Sequence, residues 1–273
     1  MSQLLTTQRL LQLASFNPQL KNTWYLIAAA TFSVCNQPQE IPRLYHYAMQ
    51  LNGLQDKDGS IAKRTIDMLQ SESHSSQRSL NEVYSDVTQY QKELTKKFRE
   101  ALLKSSALAG LPKAINSLRY LNEATPEKLL ASDPNYKVDI HGQDLFKGTE
   151  RDPKETKTDT LKRGLDHWTH IYNKVTEKVI NNLNSTYPDL WFYTLCHVYG
   201  PLLSFDDILD AKETSLVIIA SLVPQDVNPQ LWGHMKGALN VGYDKEVVNT
   251  ARNMSILVAQ WCGVTWRSDI VKL

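Results

Sequence analysis

The chain has 273 residues, of which 42% are hydrophobic, and thirty Lys and Arg against 29 Asp and Glu leave a formal net charge of +1. That composition excludes a disordered or collagen-like chain, and the charge balance offers no electrostatic case for nucleic acid. No uncharged apolar run nears the roughly 18 residues that span a bilayer, and three scattered cysteines (Cys35, Cys196, Cys262) make neither a disulfide framework, a zinc site nor a C-x-x-C motif.

The first acid is Glu40. Leu4, Leu5, Leu10, Leu11 and Leu13 predict an amphipathic helix that docks on the core and stops before Pro18. The same acid-poor, Ser/Thr-containing start is the alternative sign of a mitochondrial presequence, against which stands its having only Arg9 and Lys21 where such segments are rich in arginine. An aliphatic run follows from Trp24 to Val34. From Leu80, the positions Val83, Tyr84, Val87, Tyr90, Leu94, Phe98 and Leu102 form one stripe of helical spacing. Between residues 136 and 163 charges crowd among Pro134, Gly142, Gly148 and Pro153, which predicts a solvated connector. Leu165, Trp168, Tyr172, Val175, Val179 and Leu183 resume the helical pattern, and another helix is expected from Tyr187 to Tyr199.

The run Leu216 to Val223 suits a buried strand as well as a buried helix. It has no hairpin partner, so it reads as helix, and the fold class is all-α. The last three residues, Val271, Lys272 and Leu273, match the peroxisomal Ser-Lys-Leu address at two positions of three. They point to an import receptor and the peroxisomal matrix, with mitochondrion and cytosol as alternatives.

The two halves are weakly alike. Trp24 to Val34, Pro38 to Pro42 and Tyr45 to Met49 parallel Leu216 to Val223, Pro224 to Pro229 and His234 to Leu239. This spacing predicts a first unit over 1–135, the connector over 136–163 and a second unit over 164–273.

The stretch from Tyr187 to Val264 carries Pro188-Asp189-Leu190, Tyr199-Gly200, Leu209, and Ser215 through Ala220. Leu231-x-x-His234, Gly237-Ala238-Leu239-Asn240-x-Gly242 and Lys245-Glu246-Val247 follow. In that order these elements resemble the carboxymuconolactone decarboxylase family of the alkylhydroperoxidase-D-like superfamily. Arg99 to Leu103, leading to Gly110-Leu111-Pro112, is a diffuse echo in the first half. The chain is similar to a tandem two-copy member of the kind found in fungi. The resemblance implies an all-α fold of two fused helical units, a small homo-oligomer, no cofactor, and a catalytic histidine at His234. It further implies a small organic acid, lactone or carbonyl compound as ligand, with Ser215, Gln230, Lys212 and Trp232 around it. The other reading is a relative that kept the fold for binding or assembly. Neither nucleic acid nor membrane insertion is expected.

Two departures stand out. Peroxidase-type members carry a cysteine pair where Val227 and Gln230 stand here, so dithiol chemistry at that place is impossible. Decarboxylase-type members carry an arginine where Thr214 stands, and threonine cannot clamp a carboxylate in a bidentate fork. From the residues alone, an imidazole on a helix between Pro229 and Gly242 is expected to titrate near neutrality and move a proton, or to be a core histidine bonded to a backbone carbonyl. His167 and His170 share one helix face but lack two further metal ligands in sight. His197 and Cys196 face different ways on a helix.

Overall fold

A computed structural model describes residues 3–70, 76–132, 137, 139 and 146–273, and these are helical with no strand among them. Helix α1 (Thr7–Ala14) starts where the Thr6 side chain accepts from Arg9 N–H, and it ends before Pro18 as its leucine pattern predicts. Helix α2 (Trp24–Val34) is buried along its whole length. A Pro-led turn (Pro38–Glu40) then feeds α3 (Ile41–Leu51), and α4 (Ser60–Gln70), α5 (Ser76–Val83), α6 (Gln89–Ala109) and α7 (Leu111–Glu123) complete the first half.

The second half opens with α8 (Lys157–Tyr172), α9 (Thr176–Thr186) and α10 (Pro188–Tyr193). A π-helical stretch (Thr194–Leu203) leads on to α11 (Ala211–Leu222), a short turn (Val223–Gln225), α12 (Asn228–Asn240) and α13 (Lys245–Trp261). The Leu216–Val223 run is helical up to its last residue, and α11 is buried from Thr214 onward. Its β-branched residues are tolerated because tertiary burial outweighs their small helix penalty.

The core is built on α2 and α11, which lie side by side, with α6 and α13 each packed against both. Ala28, Ala29 and Ala30 on α2 and Ala220 on α11 are small enough for close approach. The packing is pinned by hydroxyls: Thr31 Oγ1 and Ser255 Oγ lie 2.9 Å apart, and Ser255 Oγ donates to the Ala220 carbonyl at 3.1 Å. The larger hydrophobic cluster therefore draws on both halves. A smaller one lies between α8, α11 and α12.

Three predicted helices are broken where local chemistry prevails over the apolar stripe. Leu80 to Leu102 is two helices, because Thr88 and Gln91 form a reciprocal capping box that starts α6 afresh. The pattern from Leu165 to Leu183 breaks at Asn173, whose φ of 46° ends α8. Tyr187 to Tyr199 becomes α10 followed by the π-helix, in which Ser204 N–H reaches back five residues to the Tyr199 carbonyl.

Residues 146–156 of the connector are largely exposed, and several of their charges are paired. Arg151 forks onto Glu100 of α6 at 2.6 and 3.2 Å, Lys96 pairs with Glu150, and Arg163 pairs with Glu155. Residues 157–163 already belong to α8. Pro134, Tyr136, Gly142 and Asp144 lie outside the described residues.

Candidate functional site

Pro229 sits in the first turn of α12, where its missing N–H costs nothing. The helix ends in a Schellman cap: Gly242, at φ 99°, donates to the Leu239 carbonyl and Tyr243 donates to that of Ala238. Leu231, Met235 and Ala238 are buried against the smaller core. A Cβ on Gly237 would stand 2.6 Å from Ile171 Cγ2, so only glycine lets α12 approach α8 this closely. Asn240 Nδ2 donates to the Ile171 carbonyl at 2.7 Å and fixes the approach.

This seating brings His234 to the edge of an aromatic cluster on α8 and the π-helix. Its ring meets that of Tyr172 edge-on at 6.2 Å. The Tyr172 and Tyr199 hydroxyls are 3.3 Å apart, and Trp168 packs against both phenols. Burial lowers the His234 pKa to about 4, below the neutral titration expected from sequence, because a desolvated imidazolium has no compensating anion beside it. His167, held to about 4 chiefly by burial, feels the charge of His234 and so lies near it. The buried His167 Nε2 and Trp168 Nε1 have no hydrogen-bond partner.

His46 provides the contrast. It is fully buried, with Nδ1 at 2.9 Å from the Tyr84 hydroxyl and Nε2 at 2.8 Å from the Ala124 carbonyl. Both nitrogens are used, as a structural histidine requires. Among the described residues, no such bond is made by His234.

The other residues named for the site do not gather around it. Ser215 is buried and donates to the Ala211 carbonyl one turn back at 2.9 Å. Gln230 is exposed. Lys212, also exposed, has its ammonium 5.4 Å from the Tyr243 ring centre. Trp232 faces solvent with Lys236 over its ring. None of the four is hydrogen-bonded to His234. At the C-terminus, Val271 N–H donates to Asn228 Oδ1 at 2.9 Å, and its carbonyl accepts from Arg252 Nε at 2.6 Å. Leu273 N–H donates to Asn249 Oδ1 at 3.4 Å, and Lys272 is exposed.

Two arrangements were not foreseen. The first involves Thr214, at the position for which the resemblance implied an arginine. Its hydroxyl receives the Lys104 ammonium at 2.7 Å, so a cation from the first half occupies that neighbourhood. Lys104 is fully buried, its other hydrogen bonds go to the Leu203, Phe205 and Leu209 carbonyls, and desolvation lowers its pKa to about 8. Its role here is to join α6 to the loop before α11.

The second is a cavity of about 530 Å³ between α6, α7 and the connector, with Leu103, Leu118, Phe146 and Ile208 among its apolar walls. Arg99 lines it as well; its guanidinium donates to the Leu129 carbonyl at 2.6 Å, feels the charge of Glu150 in the same lining, and is in no ion pair among the described residues. The Glu100 carboxylate beside it is taken by Arg151. The sequence signal was that Arg99 and Glu100 fall between the stripe positions Phe98 and Leu102.

Two relatives decide the family. Peroxisomal protein 2 of Saccharomyces cerevisiae is 55% identical over the full length of both chains. Peroxisomal protein 2 of Schizosaccharomyces pombe is 34% identical over 96% of this chain and 97% of its own. This chain belongs to the peroxisomal protein 2 family. Its location is the peroxisome, the first of the compartments expected from the sequence. No family model matches the chain, and no solved structure does. No helix among the described residues is long and apolar enough to cross a membrane.

Proposed function

We propose that this protein of the peroxisomal matrix is a tandem carboxymuconolactone decarboxylase-like enzyme that works without a cofactor, with His234 moving a proton on a small organic acid, lactone or carbonyl compound. The observation that carries this reading is the contrast between the two histidines. His46 spends both nitrogens on the fold, whereas His234 spends neither among the described residues and meets edge-on the ring of Tyr172, whose hydroxyl lies 3.3 Å from that of Tyr199. A neutral imidazole with a free nitrogen can accept a proton from carbon next to a carbonyl, and a nearby phenol can stabilise the oxygen that gains charge.

The two-unit reading draws support from matching turns. Asn36 and Asp226, at φ 53° and 57°, follow α2 and α11, and the next residues, Gln37 and Val227, share almost the same backbone angles. In each half a buried helix thus leads through the same kind of turn to a helix with proline in its first turn.

The test is proton exchange in heavy water. A panel of 2-oxo acids and γ-lactones is incubated with the protein, and deuterium gain next to the carbonyl is followed by NMR. The expected result is exchange with at least one compound that falls about 100-fold or more in His234→Ala, the scale of general-base catalysis. Equal exchange in the folded variant contradicts the reading.

The Arg99 cavity favours a second reading, a non-catalytic binder of amphipathic monocarboxylates. A partly desolvated guanidinium against apolar walls, in no ion pair among the described residues, suits a carboxylate with a hydrocarbon tail. Octanoate is expected to raise the melting temperature of the wild type, and Arg99→Met to abolish that rise. An equal rise in both proteins rejects the cavity as the site.

A further inference from the structure

The first and last cysteines sit at equivalent places. Cys35 caps the C-terminus of α2, and Cys262 caps that of α13. Both ends are Schellman caps. Asn36 and Gln37 donate to the Ser33 and Phe32 carbonyls, as Gly263 and Val264 donate to those of Gln260 and Ala259.

The two helices are packed together and pinned by the 2.9 Å contact between Thr31 and Ser255. Cys35 follows Thr31 by one turn and Cys262 follows Ser255 by two, so each thiol stands on the face that already touches the other helix. Cys262 feels the charge of Cys35, which puts the two thiols near one another, and both are partly exposed.

We propose that Cys35 and Cys262 are a redox-active dithiol that closes to a disulfide joining the ends of α2 and α13, with glutathione disulfide or a similar small disulfide as its oxidant. The surroundings assign the roles. The neighbouring Cys262 thiol and the nearby Lys113 ammonium favour Cys35 as thiolate, and Lys113 is held there by donating to the Val34 carbonyl at 2.7 Å. Cys262 keeps its proton: the neighbouring Cys35 and then burial push its pKa up, with Glu40 adding to the rise and Arg9 opposing it from the facing elements.

The Cys35 thiolate attacks one sulfur of glutathione disulfide. The oxidant's S–S bond breaks, a mixed disulfide forms, and one glutathione leaves as thiolate. Cys262 then gives its proton to water and attacks the Cys35 sulfur, so that the internal S–S bond forms and the second glutathione leaves. Two protein thiols are oxidised as one glutathione disulfide becomes two glutathiones.

The test is peptide mapping by mass spectrometry of folded protein held with glutathione disulfide and quenched with an alkylating agent. The expected product is a Cys35–Cys262-linked peptide pair lacking two hydrogens, with Cys196 outside the link, that reverts with reduced glutathione. In Cys262→Ser the reaction is expected to stop at the mixed disulfide on Cys35, and Cys196→Ser is expected to behave as wild type. Separate glutathione adducts on both cysteines of the wild type without the internal link overturn the proposal. So does a link that forms only after denaturation. Because the principal readout uses unaltered protein, a variant that failed to fold would not remove the test.

Discussion

Burial acts on three histidines in one direction: His46, His167 and His234 all have pKa values lowered to about 4, from 6.5 when unfolded. Between those values the unfolded chain binds more protons than the folded one. Stability therefore falls as the pH drops through 6.5 and continues to fall towards 4, by about 1.4 kcal/mol per pH unit for each such histidine. Urea unfolding at about pH 7.5 and about pH 5 is expected to show a clear loss of midpoint at the lower value. An unchanged midpoint would mean that these imidazoles are more open to water than the structure places them. At this scale the sequence was informative about residue type and silent about partners. His234 stood out from its helix, but its lack of a hydrogen bond depends on where α8 puts Tyr172. The Gly237-Ala238-Leu239 context sets it apart from His46 in the sequence, but the partners that occupy His46, Tyr84 and Ala124, lie far along the chain.

Between α8 and the π-helix the contact is backbone on backbone. A Cβ on Gly164 of α8 would lie 2.6 Å from Gly200 Cα and 2.7 Å from its nitrogen in the π-helix, where nothing flexible can give way. Gly233 on α12 has nothing within 4 Å of its would-be Cβ. Gly164→Ala is expected to destabilise the protein by about 2–3 kcal/mol, and Gly233→Ala to be neutral or to stabilise it by up to about 1 kcal/mol. Equilibrium denaturation of the two variants measures the difference, and a reversed order would contradict the packing described. Element identity was readable where the pattern was strong, as in the buried Leu216–Val223 run, the first helix ending before Pro18 and the α12 cap at Gly242. Element boundaries were not. The capping box at Thr88 and the left-handed Asn173 interrupt stripes that continue on either side, because an apolar period records which face is buried and not whether the backbone is continuous.

Across the whole molecule, the halves predicted from length and the charged connector meet in one core, where α2 and α11 are flanked by α6 and α13. Contacts between distant segments are what periodicity cannot supply. The Lys104–Thr214 hydrogen bond, the Arg151–Glu100 fork and the Cys35–Cys262 pair all join residues far apart in the chain. The functional reading depends on the same assembly, since His234 comes from α12 while its aromatic surroundings come from α8 and the π-helix. Its most direct test is a titration of the histidine ring nitrogens by ¹⁵N NMR, with His46 as internal reference. The account predicts that both rings stay neutral down to about pH 5. It also predicts that only the His234 nitrogens shift when a compound that undergoes exchange is added. A His234 ring that titrates near 6.5, or one that ignores the added compound while the His46 ring responds, would contradict it.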